Sequence, residues 1–174
     1  MEKLLEKVLK DLRVELVDKF DSNFSAGGFF GNRWKSKQDG SASHLVNSGA
    51  LRQSIQSRVE GDSIVFTSSK PYAIIHNDGG EITVTEKMRK FFWAKAYEAQ
   101  GKTRTPKGNR SRSKTAEKWN RKAEIYKNLA LKKVGSKIVI PQRQYIGYFP
   151  ELKGIVEGIA KEVISEELKK IINN

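Results

Sequence analysis

Val59-Glu60-Gly61-Asp62-Ser63-Ile64-Val65-Phe66 decides the fold class. Two β-prone runs flank a turn-rich centre, so the stretch reads as a hairpin, and the helical spacing before it stops here. On its N-terminal side, LVNSGALRQSIQ (residues 45–56) has the pattern of a short helix. Ser48 can cap its start, and Leu51 and Ile55 point inward at i, i+4. On its C-terminal side, Pro71 opens a short turn or helix, PYAIIHNDGG, which Gly79 and Gly80 end through their tolerance of positive φ. EITVT, residues 81–85, then alternates as a strand.

Farther out, Leu5, Val8, Leu12, Leu16 and Phe20 recur at spacings of three and four and predict an amphipathic helix over residues 2–20. Residues 21–43 are rich in Ser, Gly, Asn and Asp and read as a long irregular excursion, interrupted by Phe29, Phe30 and Trp34. Those aromatics need cover, either from the chain's own core or from a neighbouring subunit. Residues 86–99 return to a helical pattern, with Met88, Phe92 and Ala96 on one side. GKTRTPKGNRSRSK (101–114) has almost no apolar residue and cannot fold alone. Trp119, Ala123, Tyr126, Ala130 and Val134 form the stripe of another helix, which Gly135 ends. Ile138, Val139 and Ile140 make a short strand stopped by Pro141. From Glu151, Val156, Ile159, Val163, Ile164, Leu168 and Ile171 mark a closing amphipathic helix. The expected fold is α+β: a small, mainly antiparallel sheet of three or four strands, packed against N- and C-terminal amphipathic helices. We expect residues 1–174 to be one domain, since 174 residues suit one core, with a basic, partly flexible helical insertion at about 101–134.

Charge is placed unevenly. Residues 101–137 hold 13 Lys and Arg against Glu117 and Glu124, whereas the remainder holds 20 basic and 18 acidic residues. A nearly neutral body therefore carries one strongly basic segment. The chain has no cysteine, which removes disulfides and thiolate chemistry. His44 and His76 lie too far apart in sequence for a recognised metal motif, so neither a metal nor another cofactor is expected. The N-terminus alternates charged with apolar residues, so neither a signal peptide nor a membrane association is expected.

An ordered set of landmarks adds a resemblance. Trp34 is followed by Leu45-Val46-Asn47-Ser48-Gly49-Ala50-Leu51-Arg52-Gln53-Ser54-Ile55, then by Asp62 and its strand. Next come Tyr72-Ala73-Ile74-Ile75-His76-Asn77-Asp78-Gly79-Gly80 and Ile140-Pro141-Gln142-Arg143-Gln144-Tyr145-Ile146-Gly147. In this order they resemble the phage virion morphogenesis (tail completion) family of Mu-like and related tailed phages, and the basic stretch at 101–134 is the departure. The resemblance implies a non-enzymatic structural protein of the neck or head-proximal tail end, needed for tail completion and head–tail joining. It implies a homo-oligomeric ring, neighbouring neck, connector or tail proteins as partners, and a place in the virion after assembly in the host cytoplasm. It transfers no catalytic residue.

Read by themselves, Phe29, Phe30, Trp34 and Arg143 are candidates for subunit contact. Arg143 can equally pair with a carboxylate of its own chain. His76 is better read as a hydrogen-bonded structural residue than as an acid or base. A nuclease would need clustered carboxylates or a second base beside His76, and the acidic residues are scattered along helices. The other reading is a non-specific nucleic-acid-binding protein acting through Arg104, Lys107, Arg110, Arg112, Lys114, Lys118 and Arg121, with genomic DNA as partner. A solvated arm explains the same charge.

Overall fold

The computed structural model describes residues 2–36, 45–46, 48–103 and 113–172. The described chain divides into two compact units: the first holds the residues up to Gly79 and from Pro141 onward, the second those from Gly80 to Ile140.

The first unit is organised by α1 (Glu2–Ala26). Leu9, Leu12, Leu16, Phe20 and Phe24 are buried along one face, whereas Leu5 is 49% exposed. The helix runs six residues past the expected stop at Phe20, because Phe24 extends the four-residue spacing and Asn23 is itself buried. What reads as an irregular excursion then begins with a tight hairpin, β1 (Gly28–Phe29) against β2 (Asn32–Arg33).

The helix expected over 45–56 shrinks to the single turn α2 (Ala50–Gln53), with Leu51 buried. Ile55 instead opens β3 (Ile55–Glu60), which pairs antiparallel with β4 (Ser63–Ser68). Six ladder pairs outweigh the helical spacing of Leu51 and Ile55. The two-residue turn Gly61-Asp62 has Gly61 at φ 59°, the positive φ that hairpin turns of this length require. Arg13 on α1 donates to Ser57 O at 3.2 Å, which occupies a carbonyl of β3. The turn predicted after Pro71 is α3 (Ala73–Asp78), and α6 (Leu152–Ile172) closes the unit. Only Val163 of α6 is fully buried; Ile164, Leu168 and Ile171 of the predicted stripe are exposed.

Two apolar clusters fill this unit. Leu12, Leu16, Phe20, Phe29 and Phe149 form one, with Phe30, Phe66, Ile155 and Ile159 against it. Phe24, Trp34, Leu51, Ala73 and Tyr145 form the other, with Leu45, Val46 and Ile55 alongside.

The second unit is a helical hairpin closed by a strand pair. β5 (Gly80–Thr83) and β6 (Lys137–Ile140) pair antiparallel, Gly80 opposite Ile140. Between them run α4 (Glu86–Gly101), capped by Thr85 Oγ1, and α5 (Lys114–Ala130), capped by Ser113 Oγ. The facing stripes are short side chains, Ala96, Ala99 and Thr103 at α4 and Ala116, Ala123 and Ala130 on α5, all buried. Small side chains let the two helices approach closely, and Phe92 stacks on Tyr126 at 6.5 Å. Arg89 Nε donates to Ala130 O at 3.0 Å, where α5 ends. That end falls before Val134, which is 39% exposed and does not join the predicted stripe.

The fold is therefore α+β, with one difference from expectation. Among the described residues the strands form three separate two-stranded antiparallel sheets, not one sheet of three or four.

Candidate functional site

The sequence landmarks meet in the first unit. The chain from Pro141 to Phe149 has no regular structure, so its backbone groups need partners from elsewhere. Asn77, on the last turn of α3, supplies one: its Oδ1 accepts from both Tyr145 N and Ile146 N at 3.0 Å. His76 O accepts from Arg143 N at 2.8 Å, and Tyr145 OH donates to Ala73 O at 2.9 Å. Trp34 Nε1 donates to Gln144 O at 2.8 Å. Buried Asn23 completes the set, donating to Tyr145 O at 3.1 Å and accepting from Phe30 N at 3.2 Å. Three stretches distant in sequence are tied into one knot by buried and part-buried polar groups.

Glycine makes one of these approaches possible, and another glycine opens α2. Gly79, at φ 75°, leaves no room for a side chain, because a Cβ would lie 2.9 Å from Gln142 N. Gly49, at φ 71°, precedes α2 and takes the N-cap position. Ser48 contributes only a 3.4 Å contact to Ala50 N. Arg52 then donates through Nε and Nη2 to both carboxylate oxygens of Asp21, which holds the Asp21 carboxyl below its usual range.

Of the two kinds of cover expected for the aromatic rings, the chain's own core supplies one. Phe29 and Trp34 are buried in the chain's own core. Phe30 stacks on Phe149 with centroids 3.7 Å apart. Self-packing satisfies these rings because α1 continues to Ala26 and turns the β1–β2 hairpin back onto Phe20 and Phe24. Arg143 is also buried, and no carboxylate pairs with it among the described residues. One Nη approaches Lys35 O at 3.5 Å. Neither Arg143 Nε nor His76 Nδ1 has a hydrogen-bond partner among the described residues. Burial, and then the Arg143 charge, pushes the His76 imidazole below its ordinary pKa. His76 thus favours the neutral form, and burial likewise lowers Arg143.

An open cleft of about 460 Å³ lies beside the knot, lined by Phe29, Arg33, Trp34, Lys35, Gln142 and Gln144 among others. Among the described residues no group of three or more His, Cys, Asp or Glu is placed to hold a metal. No described helix is long and apolar enough to cross a membrane.

The second unit holds the charge. Residues 80–140 contain 17 Lys and Arg against five Glu, a net +12 of the chain's +13. Of the nucleic-acid candidates, Arg104, Lys107, Arg110 and Arg112 lie outside the described residues. Lys114, Lys118 and Arg121 are exposed on the first turns of α5.

Sequence reasoning missed two features. Asn23 and Asn77 as hydrogen-bonding posts are invisible to periodicity, although Asn77 sits within a quoted landmark. The grouping of Lys102 and Lys122 about Trp119, with ammoniums 4.4 and 4.9 Å from the ring centroid, depends on two helices meeting.

No curated protein and no solved structure matches the chain. The model of the phage virion morphogenesis family matches residues 3–165, a span that takes in the knot and the whole basic unit. With a match over nearly its full length, the chain belongs to the phage virion morphogenesis family.

Proposed function

We propose that the protein is a structural, non-enzymatic component of the phage neck or head-proximal tail end, needed to complete the tail and join it to the head. The family match over residues 3–165 carries this reading. Its polar groups support it, since those of the knot fasten backbone to backbone and commit their hydrogen bonds to shape. We place the working form in a homo-oligomeric ring against connector or tail proteins, in the virion after assembly in the host cytoplasm. Ring contacts fall to surfaces other than Phe29, Trp34 and Arg143, which are buried within one chain.

The test is a nonsense mutation in the gene, with lysates viewed by electron microscopy. Separate full heads and unattached tails, rescued by adding purified protein, are the expected result. Normally joined, infectious particles would refute the role.

A second activity, non-specific contact with genomic DNA, is favoured by the net +12 held in residues 80–140. It is compatible with the first, because DNA passes through the centre of a neck ring.

A further inference from the structure

Lys102, just past the end of α4, and Lys122, on α5, both place their ammoniums over the Trp119 ring, at 4.4 and 4.9 Å from its centroid. The two charges therefore lie within about 9 Å of each other, inside the ~10 Å screening length of 0.1 M salt. Lys102 is further fixed by Glu98, whose carboxylate takes Lys102 on one oxygen at 2.8 Å and Lys95 on the other at 2.7 Å. Those two lysines hold Glu98 down at about 2, so it stays ionised. Three lysines against one carboxylate leave this cluster at +2. Along α5, Lys114, Lys118 and Lys122 follow at four-residue spacing, one near-continuous line of cations rising about 6 Å per step. Glu117 and Glu124 share a different line of the helix, seven residues apart. The sequence between the two helices carries Arg104, Lys107, Arg110 and Arg112 with no acid.

We infer that Lys102 and Lys122, gathered over Trp119, and Lys118, one turn before Lys122 on α5, form a contact surface for the phosphate backbone of duplex nucleic acid. This rests on the second activity proposed above and names its residues and manner. Lysine is depleted where proteins bind proteins, whereas nucleic-acid interfaces are strongly positive, so the repeated lysines favour phosphate over an acidic protein. The contact is independent of base sequence. Ammonium groups are point charges without the forked geometry that reads a base edge, and the half-buried indole is already covered by two lysines. Its role is to hold the long side chains in place before the polyanion arrives.

The experiment measures binding of the full chain to a mixed-sequence DNA duplex by fluorescence anisotropy across a salt series. Each phosphate neutralised contributes about 0.9 to the slope of log affinity against log salt, so K102Q/K118Q/K122Q should flatten it by about 2.7. The equal charge change K153Q/K161Q/K169Q on α6 should leave it unaltered, and K102R/K118R/K122R should restore it. If the triple glutamine variant fails to fold, Lys118→Gln alone should remove about 0.9. A parent that binds with a slope equally changed by the two glutamine triples overturns the assigned surface and spares DNA binding. A parent that does not bind duplex at low salt overturns both. Polyglutamate competing as well as DNA at equal charge assigns the cations to an acidic protein and overturns the inference.

Discussion

Replacing Tyr145 tests the knot from two directions. Its side chain is 3% exposed, its ring lies 4.9 Å from that of Phe24, and its hydroxyl donates to Ala73 O. Tyr145→Ala removes a buried ring and leaves a cavity, for which about 3–5 kcal/mol is the usual cost. Tyr145→Phe keeps the ring and loses one hydrogen bond, about 1 kcal/mol at neutral pH. Alkaline pH then reverses the second comparison. Burial, aided by the Asp78 charge, pushes the Tyr145 hydroxyl from its ordinary 10.0 up to about 12. The folded state keeps this proton in a range where the unfolded state has released it. Stability from this group is whole below pH 10 and is lost as pH rises toward 12, by on the order of 2–3 kcal/mol at ~1.4 kcal/mol per pH unit. The phenylalanine variant has no proton to lose, so the two curves should cross near pH ~11. Urea unfolding followed by circular dichroism, at several pH values, measures both effects. Parallel curves for parent and Tyr145→Phe, or an unchanged midpoint for Tyr145→Ala, would refute the buried, hydrogen-bonded placement.

Asn77→Ala should cost about 2–4 kcal/mol, because two backbone N–H groups lose their acceptor, while Asn77→Asp, which keeps it, should cost less than half as much. Equal melting temperatures for the two variants would show that the acceptor is immaterial. Gly79→Ala should destabilise more than Gly61→Ala. Both have positive φ, but only at Gly79 does the new Cβ collide with backbone, and a reversed order in urea midpoints would contradict that crowding. His76 has a lowered pKa in the folded state, so its contribution is present above about pH 6.5 and is lost as pH falls through the folded value. His76→Gln should therefore reduce the acid sensitivity of the melting temperature in that range, and an unchanged acid limb would count against the buried neutral imidazole.

Local order was legible in the sequence wherever one strong signal stood alone. Gly61-Asp62 between β-prone runs, Gly79 after α3 and Pro141 after β6 each punctuate the chain as read. Where two signals competed, the longer-range one prevailed. Ile55 has the spacing of a helix with Leu51 but is recruited by the ladder to Ser68. The polar, loop-like composition that begins at Asp21 is overridden in the same way by Phe24, which continues the buried face of α1. The separation of strands into three pairs was not legible, because pairing partners such as Gly80 and Ile140 are distant in sequence. The same limit applies to the site. The landmark segments could be recognised individually, but Asn77 as the acceptor for Tyr145 and Ile146, or Trp119 as the rest for two lysines, exists only after distant stretches meet.

The β5–β6 pair places Gly80 directly opposite Ile140, so the chain departs and returns at adjoining points about 5 Å apart. Everything between those two residues is a cassette. Exchanging it for a short turn shortens the closed loop from some sixty residues to a few, which relieves roughly 2 kcal/mol of closure entropy. Such a connection lets a lineage alter the length, charge and surface of one module without redesigning the other. A phage protein meeting a new binding surface can change the cassette and keep the knot.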